Sequence, residues 1–445
     1  MLNAVNVNAR AVESNINPWL FCFLVFLPFL VLGSRVSSDI TASFSTLFLV
    51  YFWFKHPAHE IRKQRWFQVF LILWLYMCAT SLLMVDPKYI LGQSLIAIRW
   101  PAFALVLSSL VFKDQRKIEI FEYAALGCFV FIGLDSMLQY VTGHDIFGHI
   151  PVGVNDPSLS EYTLHTTNHV SSGLRLTGPF SKEVPGVYAL RIYPIALFAL
   201  LTLSHDWLKG KRAVTVFAVI IFSQVFAFLT GERIVFMSFG VINFILFIAL
   251  CIQFSFSFKH ILAAVVSFCG IAAASVVLAP QMINRTILSF IYGLENFKDG
   301  TYYPIIINAL TLWKNNPWFG VGTRYYNQAC YALPSSQRSF SPEGCALHPH
   351  QMYLEWLADN GAIGLILFLV VLYFVFKNLW LHLEFKKHPL KSALIIIPMC
   401  MVFSMIVPSM SIQSNNYGGI VWMLVGWALA RASLMKDTDS KFKVL

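Results

Sequence analysis

Two histidines, His348 and His350, stand two positions apart at the end of a long polar loop, just before an apolar run. A neutral imidazole can take a proton from an attacking hydroxyl near neutral pH, so either histidine is a candidate general base. Three arginines, Arg175, Arg191 and Arg233, lie inside or beside other apolar runs. Because a guanidinium pairs with phosphate oxygens through a rigid fork, these arginines predict an anion site.

Each of these side chains also has a structural interpretation. A histidine near a helix start is more often a cap or an interface residue than a catalyst. Arg233 has possible partners in Glu232 and Glu183, and Arg191 is placed to hold two helices together. Spacing alone does not choose between these interpretations, and it does not rank the two histidines. The choice depends on which elements carry these residues and on which side of a membrane they lie.

The composition is that of an integral membrane protein. The chain has 445 residues, of which 57% are hydrophobic and 12% are charged, and its mean hydropathy is +0.65. A soluble domain carries roughly a quarter charged residues. The net charge of +10 comes from short loops between apolar runs, so membrane orientation explains it better than binding of nucleic acid does.

Twelve apolar runs approach the length of about 20 residues that crosses a bilayer. They lie near 18–34, 38–54, 66–84, 89–112, 119–140, 186–203, 213–230, 234–258, 261–279, 360–379, 393–410 and 419–435. The weakest are 38–54, which contains several Ser and Thr, and 393–410, which contains Pro398 and Pro408. The sequence therefore predicts an all-α polytopic membrane protein with about twelve transmembrane helices.

The positions of Lys and Arg set the predicted orientation. With a cytoplasmic N-terminus, every short basic loop falls on the cytoplasmic side, and the first residues lack the pattern of a cleavable signal peptide. The predicted segments are a cytoplasmic N-terminus (1–17), nine helices with a periplasmic loop at 141–185 (18–279), a large periplasmic loop with surface helices (280–359), three helices (360–435) and a cytoplasmic tail (436–445). Within the large loop, residues 303–313 have the spacing of an amphipathic helix lying on the membrane.

This topology collects cationic side chains and both histidines on the outer face. The candidate catalytic residues there are His350 and His348, and the candidate anion-binding residues are Arg175, Arg191, Arg233, Lys182 and Arg324. An arginine inside a span is costly, so an anionic ligand or a partner is the default expectation. An anion site beside a base indicates group transfer from a lipid diphosphate.

Two of the 8 cysteines, Cys330 and Cys345, lie outside the predicted spans, in the large loop. An external compartment permits disulfides, so we expect a bridge close to the histidine pair, and two free thiols are the alternative. No spacing typical of a zinc site occurs, and we predict neither a metal nor a cofactor.

The histidine stretch resembles a signature of the O-antigen ligase and polymerase superfamily of bacterial envelope proteins, "His-Asn-x-Tyr-Leu…Glu-x-Gly-x-x-Gly". Here it reads His-Gln-Met-Tyr-Leu from His350 and Asn-Gly-Ala-Ile-Gly at 360–364. The Arg-Leu-Thr-Gly-Pro-Phe run at Arg175, the Thr-Gly-Glu-Arg run that ends at Arg233, and the Asn-Pro-Trp-Phe-Gly-Val-Gly run at 316–322 are also similar to that family's pattern.

The resemblance implies an inverting, metal-independent glycosyltransferase of the bacterial inner membrane. Its donor would be a glycan on undecaprenyl diphosphate, and its acceptor a second glycan hydroxyl in the periplasm. His350 aligns with the family histidine and would be the base, while Arg175, Arg191 and Arg233 would hold the diphosphate. The sequence departs from the family in Glu232, where a small residue is usual, and this raises the question of whether Glu232 neutralises Arg233.

Three functions remain open from the sequence. Ligation of a lipid-linked O-antigen to lipid A-core is the leading one. Polymerisation of repeat units on the same carrier needs the same parts, and only the acceptor distinguishes the two reactions. A twelve-helix transporter is the third, although transporters are commonly built from repeated halves and none is detectable here. The sequence predicts no oligomeric state.

Overall fold

The computed structural model describes residues 16–56, 59–152, 174–182, 184–202, 209–300, 302–339, 344–404, 411 and 415–442. Most of the predicted N-terminal segment 1–17 and the last residues of the predicted tail 436–445 lie outside these ranges. Every regular element within them is a helix, apart from one isolated pair of bridged residues, Val152 and Arg175. The predicted all-α class is therefore confirmed for the described residues.

The helices of the first part of the chain are α1 (Pro18–Gly33), α2 (Arg35–Lys55), α3 (Arg65–Ser81), α4 (Pro87–Ala97), α5 (Arg99–Val106), α6 (Gln115–Thr142), α7 (Pro185–Thr202), α8 (Lys209–Leu229), α9 (Arg233–Phe254) and α10 (Phe258–Leu278). The remaining helices are α11 (Pro280–Ile283), α12 (Ser289–Glu295), α13 (Tyr302–Asn315), α14 (Tyr326–Ala332), α15 (Met352–His382), α16 (Pro389–Val402) and α17 (Asn415–Phe442). A π-helical segment, Asn284–Leu288, joins α11 to α12.

Six helices of the described residues are long and apolar enough to cross a membrane. They are Pro87–Val111, Gln115–Thr142, Arg233–Phe254, Ile261–Leu278, Met352–His382 and Tyr417–Met435. Four shorter apolar helices coincide with the predicted spans 18–34, 186–203, 213–230 and 393–410. The predicted spans 38–54 and 66–84 are helical but belong to neither group. The structure thus supports a helical membrane protein, while the count of twelve spans and the periplasmic loop stay predictions.

The last helix, α17, lies at the centre of the bundle, and α10 lies at its edge. Within their apolar windows, 89% of α17 is buried inside the protein, against 0% of α10. α17 packs against α2, α5, α7, α15 and α16. Large aromatic side chains such as Trp66, Trp100 and Trp427 fill the interior around it. Helices packed in this way present their outer faces to lipid and place polar groups at the ends.

The large loop is a packed unit of its own, which corrects the prediction of a surface-lying helix at 303–313. The apolar face of α13 carries Ile305, Ala309 and Leu312, and all three are buried. They pack with Tyr326 of α14 and with Ala358 of α15 rather than facing the membrane. The amphipathic pattern identified the helix, but a partner within the same chain covers its apolar face.

The predicted start of the tenth span, residue 360, coincides with a break inside α15. Gly361 has φ +67°, so the stretch from Met352 to Asn360 is set apart from the long apolar part that follows. A side chain is excluded at Gly361, because a Cβ there would lie 2.2 Å from the carbonyl oxygen of Trp318. Only glycine gives the backbone both this φ and this close approach.

A buried ion pair joins α6 to α17. Glu122 is fully buried, and its carboxylate accepts hydrogen bonds from Arg431 Nε at 2.9 Å and from Arg431 Nη2 at 2.6 Å. The indole N–H of Trp427 donates to the same carboxylate at 2.8 Å. Bidentate geometry and a third donor satisfy the charge that burial would otherwise make costly.

Replacement of Arg431 by Met should destabilise the protein by about 3–5 kcal/mol, because it leaves the Glu122 carboxylate buried without its countercharge. The free energy of unfolding in detergent measures this loss. Arg35→Met is the matched control, since the Arg35 side chain is 61% exposed and its pair with Asp39 should contribute at most about 1 kcal/mol. Equal losses in the two variants would contradict the structural role of the buried pair.

Candidate active site

A cavity of about 230 Å³ opens where α7, α9, α13 and the loops at 175 and 350 meet. Its walls carry more cationic than anionic side chains, together with one histidine and one tyrosine. The residues that line it are Arg175, Val187, Leu190, Arg191, Gly231, Glu232, Arg233, Ile234, Val235, Ser238, Arg285, Tyr302 and His350. Four of them are arginines, so the cavity is strongly electropositive.

The backbone around Arg175 is fixed from both sides. Its N–H and C=O both pair with Val152, at 3.0 and 2.9 Å, and the next N–H, of Leu176, donates to the carbonyl of Thr230 at 3.2 Å. The fully buried amide of Gln139, on α6, accepts hydrogen bonds from the N–H groups of the two residues after Leu176, at 2.9 and 3.0 Å. Gln139 thereby fixes the Leu-Thr-Gly run that carries the arginine.

Arg191 and Arg233 are positioned by helices. Arg191 lies two turns into α7, and its Nη2 donates to the hydroxyl of Tyr417, on α17, at 2.6 Å. Its guanidinium also lies over the Tyr417 ring, 5.1 Å from the centroid. Arg233 is the first residue of α9 and follows a tight turn at Gly231, whose φ is +72°. The dipole of α9 places positive potential at that same end.

Glu232 enters the cavity between the arginines, and its carboxylate faces the start of α7. It is 5% exposed, and its Oε1 accepts a hydrogen bond from the N–H of Gly186 at 2.7 Å. Burial raises the pKa of Glu232 to about 7, against the opposing effects of Arg175, of the N–H groups of Gly186 and Val187, and of Arg191. The countercharge therefore acts on Arg175 and Arg191, rather than on its neighbour in sequence.

Of the two histidines, His350 lines the cavity and His348 does not. The ring centroids of the pair are 4.3 Å apart, and the ring of Tyr302 meets that of His350 edge-on at 5.8 Å. His350 has φ +53°, an uncommon backbone conformation that turns it toward the arginines. Burial lowers the pKa of His350, and burial, with smaller effects of His350 and Arg324, lowers the pKa of His348 to about 3. Both imidazoles are therefore neutral at physiological pH.

Two predicted anion-binding residues lie elsewhere. Lys182 is exposed on the surface and does not line the cavity. Arg324 donates from Nη1 to Gln93 Oε1 at 2.7 Å, and its backbone N–H donates to Asp359 at 2.9 Å. It joins the large loop to α4 and α15, and its charge contributes to the lowered pKa of His348.

Two residues that line the cavity were missed in the sequence, Arg285 and Tyr302. Arg285 lies in the π-helical segment after α11, and Tyr302 is the first residue of α13. Arg285 could have been found from the sequence, because it follows an apolar run on the same predicted side of the membrane as the other arginines. Nothing in the spacing around Tyr302 distinguished it from other surface tyrosines.

Cys330 and Cys345 form a disulfide, with Cα atoms 5.5 Å apart. It lies in the small core of the large loop, beside Tyr326 and Ala358. Cys345 precedes His348 by three positions in the chain, so the disulfide anchors the start of the histidine segment. Gln351 holds its other end, because its side chain accepts a hydrogen bond from the N–H of Leu354 at 2.8 Å and caps α15.

The cavity combines side chains whose chemistry suits them to bind an anion with a side chain whose chemistry suits it to accept a proton. Guanidiniums bind diphosphate oxygens and stabilise the negative charge that develops as a diphosphate leaves. A neutral imidazole beside them removes a proton from an attacking hydroxyl. Among the described residues, no cluster of three or more His, Cys, Asp or Glu side chains could hold a metal ion.

A comparison with protein families matches residues 216–369 to the family described as O-antigen ligase. The resemblance to the O-antigen ligase and polymerase superfamily is confirmed over this region. The matched region carries Arg233, Arg285, Tyr302 and both histidines. It supports a membrane enzyme of the O-antigen ligase or polymerase type. No curated protein matches the chain.

Gln139→Leu should lower the stability of the site. The substitution removes the acceptor of two buried backbone N–H groups, and each unpaired N–H lowers the free energy of unfolding by about 1–3 kcal/mol. The melting temperature of the purified protein should fall, and proteolysis near Arg175 should accelerate. Gln328→Leu, at an exposed position of α14, is the matched control and should change neither value. Equal melting temperatures for the two variants would contradict the role of Gln139.

Proposed function

We propose that this protein is an O-antigen ligase that moves a glycan from undecaprenyl diphosphate to lipid A-core at the periplasmic face of the bacterial inner membrane. The observation that carries the proposal is the cavity in which four arginines and His350 come together. The family match over residues 216–369 supports the reaction class.

The donor diphosphate binds among Arg175, Arg191, Arg233 and Arg285. A diphosphate diester carries two negative charges, and four guanidiniums offer enough N–H groups to pair with all of its free oxygens. They supply the positive charge that a metal ion supplies in other diphosphate sites, so the proposed reaction is metal-independent. We place the first sugar of the glycan next to His350 and Tyr302, which line the same cavity as the arginines.

The transfer is a single displacement. The acceptor hydroxyl oxygen attacks the anomeric carbon, the bond from that carbon to the diphosphate oxygen breaks, and the electron pair leaves with the diphosphate. His350 takes the proton of the attacking hydroxyl, for which its neutral state suits it. One displacement at the anomeric carbon inverts its configuration. The negative charge of the leaving group grows in the transition state, and the arginines bind it more tightly there. This tighter binding lowers the activation barrier.

His350→Ala should reduce the rate constant of transfer by about 10²–10⁴-fold, the usual contribution of a general base, with little change in donor affinity. Transfer of glycan to lipid A-core by purified enzyme in proteoliposomes measures the rate. His348→Ala is the matched comparison, since that imidazole lies next to His350 but outside the cavity. If His350→Ala retained the wild-type rate, or if His348→Ala alone lost it, His350 would not be the base.

The acceptor is tested by offering the reconstituted enzyme one defined lipid-linked glycan and either lipid A-core or a second carrier-linked unit. A ligase forms glycan-bearing lipid A-core and leaves the second unit unextended. A lengthened carrier-linked glycan would instead establish a polymerase, the second reaction of this superfamily. Consumption of neither acceptor, with the glycan moved across the membrane intact, would establish a transporter and refute group transfer.

A further inference from the structure

Glu232 has no role in the transfer just described, although it lies among the arginines that the transfer uses. We infer that Glu232 is a proton-accepting countercharge of the cavity, so that each diphosphate donor binds together with one proton that Glu232 takes from solvent. This inference rests on the proposed donor, a diphosphate diester.

The carboxyl group is built into the wall rather than left at the surface. It is 5% exposed, it accepts the N–H of Gly186 at 2.7 Å, and a Cβ on Gly186 would lie 2.8 Å from its Oε1. Glycine at position 186 therefore makes the space that the carboxyl group occupies. Val187, the next residue of α7, lines the cavity as well. The Gly186 N–H therefore holds the Glu232 carboxyl group at the cavity wall, where the donor is proposed to bind.

Among the described residues, the other charged or titratable groups that line the cavity with Glu232 are all cationic or neutral. They are Arg175 from the loop, Arg191 from α7, Arg233 from α9, Arg285 from the π-helical segment, Tyr302 from α13 and His350 from the loop before α15. Without a ligand, the Glu232 carboxylate offsets part of the positive charge that the guanidiniums bring to the cavity. A diphosphate brings two negative charges to the same guanidiniums. The Glu232 carboxylate then repels the diphosphate and competes with it for those cations.

Protonation removes this opposition without moving a side chain. One proton from solvent converts the carboxylate to the neutral acid, which still accepts the Gly186 N–H through its carbonyl oxygen. No covalent bond forms or breaks. The pKa of Glu232 in the ligand-free site is raised by burial to about 7, so a nearby dianion has only to raise it further for uptake to occur near neutral pH.

The sign of the pH dependence follows from linkage. Below the pKa of the ligand-free site, Glu232 is already neutral and the donor binds to the full charge of the arginines. As the pH rises above that pKa, the donor must bring a proton with it, and its apparent affinity falls by up to about tenfold per pH unit. Replacement of the Glu232 carboxyl group by an amide of the same shape removes the dependence of donor affinity on pH.

The experiment measures donor binding to the purified full-length protein in detergent, between about pH 6 and about pH 8.5. The probe is a short-chain prenyl diphosphate sugar, because a diester lacks the terminal phosphate group that would itself titrate near pH 6. Calorimetry in two buffers with different ionisation enthalpies gives the number of protons taken up. The wild type should take up close to one proton above neutral pH, and its dissociation constant should rise with pH.

Glu232→Gln should take up no proton and should bind the probe with a dissociation constant that does not depend on pH. Glu232→Ser serves the same purpose if the amide variant fails to fold. The same slope in the wild type and in either variant would overturn the inference. So would uptake that persists in Glu232→Gln and disappears in His350→Asn, because the proton would then go to the imidazole.

The two proposals fail separately. A wild type that transfers glycan but binds the donor independently of pH refutes the role of Glu232 and leaves the ligase function standing. A wild type that takes up the proton on binding but transfers nothing refutes the ligase function and leaves the coupled countercharge standing.

Discussion

Four guanidinium groups brought to one small cavity repel each other, and much of the surrounding structure holds them there. Two unit charges about 8 Å apart repel by about 2 kcal/mol at an effective dielectric constant of 20. Hydrogen bonds and helix positions hold the three predicted arginines in place against this repulsion. Arg175 is held by paired N–H and C=O groups, Arg191 by Tyr417, and Arg233 by its position at the first turn of α9. Among the described residues that line the cavity, Glu232 is the one acidic side chain.

The histidine segment, which brings His350 to the cavity, is held by a different set of contacts. Gly361 breaks α15 so that Asp359 can accept N–H groups from Arg324 and Tyr326, at 2.9 and 3.0 Å. The hydroxyl of Tyr76, on α3, donates to the carbonyl of Asn360 at 2.9 Å. The large loop, α3 and α15 are thereby joined directly below the histidine segment. These contacts fix the first part of α15, which directly follows the histidine segment.

Charge and hydropathy predicted much of this arrangement, because both are properties of short stretches of sequence. The long polar loop before His350 and the arginines at the ends of apolar runs are readable without coordinates, and in the structure His350, Arg175, Arg191 and Arg233 line one cavity. Contacts between distant segments are not readable in that way. The sequence left open whether Glu232 neutralises adjacent Arg233. In the structure the carboxylate accepts the Gly186 N–H at the start of α7 and acts on Arg175 and Arg191.

The contact between Arg191 and Tyr417 links positions 226 residues apart in the chain. A membrane protein is inserted segment by segment during synthesis, and an arginine within an apolar helix is costly there until it finds a partner. Arg191 enters with α7, whereas its tyrosine arrives with the last helix of the bundle. The cavity wall that carries Arg191 is therefore complete only after α17 has packed against α7, because the Tyr417 hydroxyl and ring that hold the guanidinium arrive with α17.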